Sequence, residues 1–151
     1  MPLMQLSATK HLRSFAIAIA LTGATVVAAC SFPNSGTGTS GEVPPAIETS
    51  SGESEIALAE HLTSIGATKY GAWWCPHCHA QQTLFGETAF DKVTYVECDP
   101  EGQNAQPATC QAVGVQSYPT WEINGEIYAG VQSLETLATV SGYSGPTDFQ
   151  N

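Results

Sequence analysis

From residue 53 onward the apolar positions follow two rhythms, and each predicts an element. Ile56, Ala59, Leu62 and Ile65 recur at helical spacing over Glu53 to Ile65, and Gly66 is a stop. Thr68 to Trp73 reads as a short apolar strand. Cys75 to Phe85 follows as a helix with Leu84 and Phe85 turned inward, and Gly86 breaks it. Val93 to Glu97 is β-branched and aromatic, hence a strand closed by Cys98. Asp99 to Gln106 is polar loop, and Pro107 can start a short helix running to Val113. Thr120–Ile123 and Glu126–Ala129 flank Asn124-Gly125, a strong hairpin signal. Ser133 suits a helix N-cap, Leu134, Leu137, Ala138 and Val140 form the last apolar face, and Gly142 ends it. Helix, strand, helix, strand, helix, hairpin, helix is an α/β pattern: a mixed central sheet with helices on both faces.

The chain's start breaks this pattern. Met1 to Arg13 carries Lys10, His11 and Arg13 and no acid, and Phe15 to Ala29 is a nearly unbroken apolar run. That run falls short of the roughly 20 residues a spanning helix needs, so the segment reads as an export signal over residues 1–29. Val27-Ala28-Ala29-Cys30 resembles a bacterial lipoprotein signal. The resemblance implies cleavage before Cys30 and lipidation of its sulfur, giving an exported protein anchored at a membrane facing the periplasm or an equivalent space. The other reading is an ordinary signal that leaves Cys30 as a free thiol. Ser31 to Gly52 is mostly Ser, Gly, Thr and Pro, so a flexible tether is expected there. An irregular arm packed on the domain, with Val43, Pro44, Pro45 and Ile47 in contact, is the alternative.

Residues 53–151 are enough for one domain with one core. Beyond Cys30 all 14 acids face only Lys69 and Lys92, a net charge of about −12 with His neutral. Nucleic acid and anionic membrane surfaces are therefore poor partners, and a monomer is expected. No internal repeat is visible. With Cys30 set aside, Cys75, Cys78, Cys98 and Cys110 allow three pairings. The C-x-x-C pair most naturally partners itself, which leaves Cys98 with Cys110.

The chemistry gathers at Trp74-Cys75-Pro76-His77-Cys78-His79. Pro76 suits the first helical turn, which places Cys75 at a helix N-terminus where unpaired amides and the macrodipole favour a thiolate. His77 adds a donor or positive charge nearby. Three readings are open: a dithiol/disulfide redox pair with no cofactor, a small c-type cytochrome using Cys-x-x-Cys-His with His79 and His61 as ligands, or a structural zinc module of Cys75, Cys78, Cys98 and Cys110. A purely structural cysteine pair is the bland alternative. Trp73 and Trp121 suit either core or site, Tyr118 leans toward the site, and His61 and His79 read as solvated helix residues.

The element order, with Trp74-Cys75-Pro76-His77-Cys78 after the first strand and Tyr118-Pro119-Thr120 before the hairpin, resembles the thioredoxin fold. The similarity is closer to the thioredoxin-like domain that bacterial and plant proteins carry fused to a vitamin K epoxide reductase-type membrane domain. Tyr70-Gly71-Ala72, Leu84-Phe85-Gly86, Tyr95-Val96-Glu97-Cys98, Tyr118-Pro119-Thr120-Trp121, Ile123-Asn124-Gly125 and Ser141-Gly142-Tyr143 also carry it, spanning about Lys69 to Tyr143. The resemblance implies a thiol–disulfide oxidoreductase. Cys75 would be the exposed nucleophile, Cys78 the less exposed resolving thiol, and Pro119 a cis-proline beside them. Pro119 and Tyr118 would position a client chain, with Trp74 and Pro76 at the same rim. Cys98 and Cys110 match that family's structural pair. Implied partners are client proteins with thiols or disulfides and a separate quinone-linked membrane thiol oxidoreductase of the vitamin K epoxide reductase type. Thioredoxins proper carry a buried acid before the cysteines and Gly-Pro between them. Here the nearby charged residue is Lys69, and Pro-His resembles the strongly oxidising periplasmic type.

Overall fold

A computed structural model describes residues 44–151. The export signal and Cys30 lie outside the described residues. The elements run α1 (Glu53–Ser64), β1 (Thr68–Gly71), α2 (Pro76–Phe85), α3 (Glu87–Phe90), β2 (Thr94–Glu97), α4 (Pro107–Val113), β3 (Thr120–Ile123), β4 (Glu126–Ala129) and α5 (Leu134–Ser141). No helix among the described residues is long and apolar enough to cross a membrane.

The four strands lie in the order β2-β1-β3-β4. β1 pairs in parallel with β2, which requires the crossover that α2 and α3 provide. β3 is antiparallel to both β1 and β4. Asn124 and Gly125 both take positive φ (54° and 81°), which a two-residue hairpin turn demands.

Each face of the sheet has its own apolar cluster. Trp121 and Ile123 face Leu58, Ala59 and Leu62 of α1, Phe85 of α2, Ala89 of α3 and Leu137 of α5. Each large apolar side chain fully buried there contributes about 1.5–3 kcal/mol. On the other face Tyr70 and Val96 meet Cys98 and Cys110, so α4 covers that side. This is an α/β thioredoxin-like fold.

Two expectations change. The inward stripe of α1 is Glu55, Leu58, Ala59 and Leu62, while Ile56 and Ile65 are only half-buried. The cause is the C-terminal tail, which Glu55 and Ser54 bind: Gln150 N donates to Glu55 Oε1 and Ser54 Oγ donates to Asp148 Oδ1. Second, residues 49–51 at the end of the predicted tether are packed chain, while residues 31–43 of it lie outside the described residues. Glu87 N donates to Thr49 O, Ala89 N to Ser51 Oγ, and Thr49 Oγ1 to Thr83 O. Residues 49–51 thus satisfy free backbone groups around Gly86, where a Cβ would lie 2.6 Å from Ser50 C.

Candidate active site

Cys75 is the N-cap of α2, with extended backbone (φ −77°, ψ 117°), and Pro76 follows in the first turn. Its carbonyl accepts from His79 N, the first bond of the helix, and its amide donates to Ala72 O at 3.0 Å. Strand β1 ends at Gly71 and α2 begins at Pro76, so the intervening turn delivers both cysteines to the carboxyl end of the parallel strands. The back of α2 is held by Gln81, which is fully buried. It donates to Gln132 O and accepts from Gln132 N and Trp121 Nε1.

Cys75 and Cys78 are free thiols. Cys75 is 6% exposed and Cys78 1%. The order of exposure is the expected one, but Cys75 is not an open thiol. Ala72, Cys78 and Tyr118 pack around it, and its Sγ donates to Tyr118 O at 3.7 Å. The Tyr118–Pro119 peptide is cis. Pro119 and the Tyr118 carbonyl therefore stand beside Cys75, although 43 residues separate Tyr118 from it.

The rim is aromatic and acidic. Trp74 is 53% exposed, its ring set edge-on to Tyr118 with centroids 6.4 Å apart. Its indole N–H donates to Asp99 Oδ2 at 2.7 Å, and that bond, with the amide of Glu101, lowers the Asp99 pKa. Pro76 and His77 are exposed on the first turn of α2. Among the described residues no hydrogen bond joins His77 to either sulfur, so the expected direct donor to the thiol is not formed. Trp121 belongs wholly to the core. His79 is half-buried rather than solvated. His61 is also half-buried, donates from Nε2 to Ser141 O at 3.0 Å and packs on Tyr143.

Beneath the cysteines lies a charged layer that the motif does not reveal. Lys69 is 0% exposed, and its Nζ has no hydrogen-bond partner. The ammonium sits 4.6 Å from the Tyr95 ring centroid and 5.1 Å from that of Phe90. Burial pulls its pKa down to about 8, against the opposing pull of Cys78, Cys75 and Glu97. Burial pushes the Cys78 thiol up to about 11, with Lys69 acting against it. Glu97, also buried, accepts from Tyr95 Oη at 2.6 Å and from Asp99 N at 2.9 Å. Burial, with the Glu97 bond, raises the Tyr95 phenol far above its usual range. Lys69 was legible as the charged residue nearest the motif. Its burial follows from β1 register, which pairs it with Tyr95 and Trp121 on the covered face. Tyr95 and Glu97 stood out in the sequence only as part of the resembling stretch Tyr95-Val96-Glu97-Cys98, with nothing to link them to Lys69.

Cys98 and Cys110 form a disulfide with Cα atoms 5.8 Å apart, whereas Cys75 and Cys78, the other expected pair, are reduced. It joins the end of β2 to α4. The zinc reading loses two of its four ligands to this bond. Among the described residues no group of three or more His, Cys, Asp or Glu side chains could hold a metal. The cytochrome reading loses its distal ligand, because His61 is committed to Ser141 and Tyr143.

A thioredoxin-like domain with a free Cys-x-x-Cys at the start of α2 and a separate disulfide is the class of protein that fold and site define. No protein-family model matches the chain. It is similar to the thiol-disulfide oxidoreductase LTO1 of Arabidopsis thaliana, 42% identical over 101 residues. That alignment takes in 65% of this chain and 27% of the relative, so the chain spans about a quarter of the length of the protein it matches.

Proposed function

We propose that this chain is a thiol–disulfide oxidoreductase working through Cys75 and Cys78. The observation that carries the reading is the pair itself: two free thiols one helical turn apart at the start of α2, the outer one against the Tyr118 carbonyl. Its similarity to a relative named for this activity supports it.

When a client is oxidised, a client thiolate attacks Cys75 Sγ of the Cys75–Cys78 disulfide and Cys78 leaves. A second client thiolate then attacks the client sulfur of the mixed disulfide, and Cys75 leaves. Two electrons and two protons end on the cysteine pair while the client gains one disulfide. Reduction of a client is the same sequence reversed. Trp74, Pro76, Tyr118 and Pro119 form the surface on which the client chain lies, and His77 borders it.

The setting is part of the proposal. Cys30 carries a lipid, the domain faces an extracytoplasmic space, and the clients are exported proteins. A separate membrane protein of the vitamin K epoxide reductase type, with a quinone beyond it, exchanges electrons with the pair. The lipoprotein-like signal and the domain resemblance motivate this setting. Cys78→Ala, expressed in cells, is expected to trap mixed disulfides on Cys75 with exported proteins and with a membrane partner. Recovery of no Cys75 adduct, or of cytosolic proteins alone, overturns it. The reduction potential of the pair gives the direction: near about −120 mV an oxidase, near about −270 mV a reductase.

A further inference from the structure

Lysines are almost never fully buried unless paired. Lys69 is fully buried, and its ammonium lies over two aromatic faces with no hydrogen-bond partner. The titratable groups that face it are Cys78 and Cys75 at the start of α2 and Tyr95 and Glu97 on β2. From α3 it meets Phe90, and across the sheet Trp121, neither of which titrates. Glu97 is committed to the Tyr95 hydroxyl and the Asp99 amide. The position a side chain on Gly71 would occupy lies 2.7 Å from Cys78 Sγ and 3.5 Å from Lys69 Nζ. The absence of a side chain at Gly71 is what lets sulfur and amine approach each other.

We propose that Lys69 is the proton partner of Cys78: its amine takes the proton Cys78 gives up on attacking a mixed disulfide, and returns one when Cys78 is expelled. The inference rests on the oxidoreductase reading above. In the resolving step the Cys78 S–H proton passes to Nζ, leaving thiolate beside ammonium. The thiolate forms the Cys75–Cys78 bond as the bond from Cys75 to the client sulfur breaks, and the client thiolate takes its proton from water. In the opposite direction a client thiolate attacks Cys75, the Cys75–Cys78 bond breaks, and the ammonium protonates the departing Cys78. Only the client and the pair exchange electrons. Sulfur and amine thus flank the same empty position, and the flexible four-carbon stem of the lysine is what would bring Nζ to the sulfur.

The need for such a partner follows from burial. A thiol held at about 11 is ionised in only about one molecule in ten thousand at pH 7. An amine held at about 8 is neutral in roughly a tenth of molecules there, enough to act as a base.

The two sulfurs can be followed separately with dithiobis(nitrobenzoate) on the reduced full chain. The first coloured nitrothiophenolate reports attack by Cys75, and the second reports Cys78 resolving the mixed disulfide. In Lys69→Met the ratio of second to first rate is expected to fall about 100-fold. Lys69→Arg, which keeps the charge but holds its proton, is expected to fall with it. In the unaltered chain the second rate should climb to about pH 8 and level off. An unchanged ratio in both variants, or a second rate that keeps climbing toward about pH 11, overturns the inference while leaving the oxidoreductase reading standing. Absence of any second release from the unaltered chain overturns both. Should Lys69→Met not fold, the pH profile of the unaltered chain decides alone.

Discussion

The two cysteine pairs are built from the same atoms and kept for different uses. Cys98 and Cys110 come from separate elements and close a loop, with Tyr70, Val96, Val113 and Val115 around them. That environment is apolar, and the bond ties α4 to the sheet. Cys75 and Cys78 come from one helical turn and are free but buried thiols, with a peptide carbonyl on one side and a buried lysine beneath. Both pairs are nearly removed from water. Burial alone therefore does not separate a staple from a reactive pair. What differs is that the Cys75–Cys78 pair has a buried, titratable lysine behind it.

The sharpest way to break the comparison is to disable each pair in turn. Cys75→Ser should lower disulfide-exchange turnover by at least about a thousandfold, measured with a reduced or oxidised model client. The double change Cys98→Ala with Cys110→Ala should leave turnover within about threefold. It should cost about 3 kcal/mol of unfolding free energy in urea, as expected for a short closed loop. A large loss of turnover in that variant would mean the second pair relays electrons.

Smaller effects test the charge. Replacing Lys69 by Met removes an unpaired buried ammonium and should stabilise the reduced domain by about 2 kcal/mol at pH 7, by urea unfolding. The pH dependence has a definite sign. Lys69 holds its proton to about 8 when folded and to its ordinary 10.5 when unfolded, so unfolding takes up a proton between those values. Stability of the reduced protein should therefore rise by about 1 kcal/mol from pH 8 to 9. Above pH 9 Cys78 acts oppositely, since its folded value of about 11 exceeds its ordinary 9.0. Lys69→Met should lose the rise between pH 8 and 9. The smallest effect is at the rim: Trp74→Ala should raise the KM for a protein client about threefold to tenfold while moving stability by less than about 0.5 kcal/mol.

Much of this was legible because it was written locally. Asn124-Gly125 marked the hairpin, Pro107 marked α4, and Ser133 marked the α5 cap, where its Oγ accepts from Thr136 N. The Cys-x-x-Cys and Pro119 stood out as motifs, and the structure brings them together. What stayed hidden depends on partners distant in the chain. The inward stripe of α1 is set by a tail some 95 residues away. The hold of residues 49–51 comes from backbone and hydroxyl groups, which composition cannot distinguish from those of a free linker. Lys69 is charged, so pattern alone assigns it to water. Only strand register places it under the sulfurs.

The attachment of residues 49–51 has a mechanical consequence. A pull on residues 49–51 enters the domain at Thr83, Glu87 and Ala89, at the carboxyl end of α2 and in α3. Cys75 stands at the other end of that ten-residue helix, about 15 Å off. A strain entering at residues 49–51 would have to cross the whole length of α2 before it reached the sulfurs.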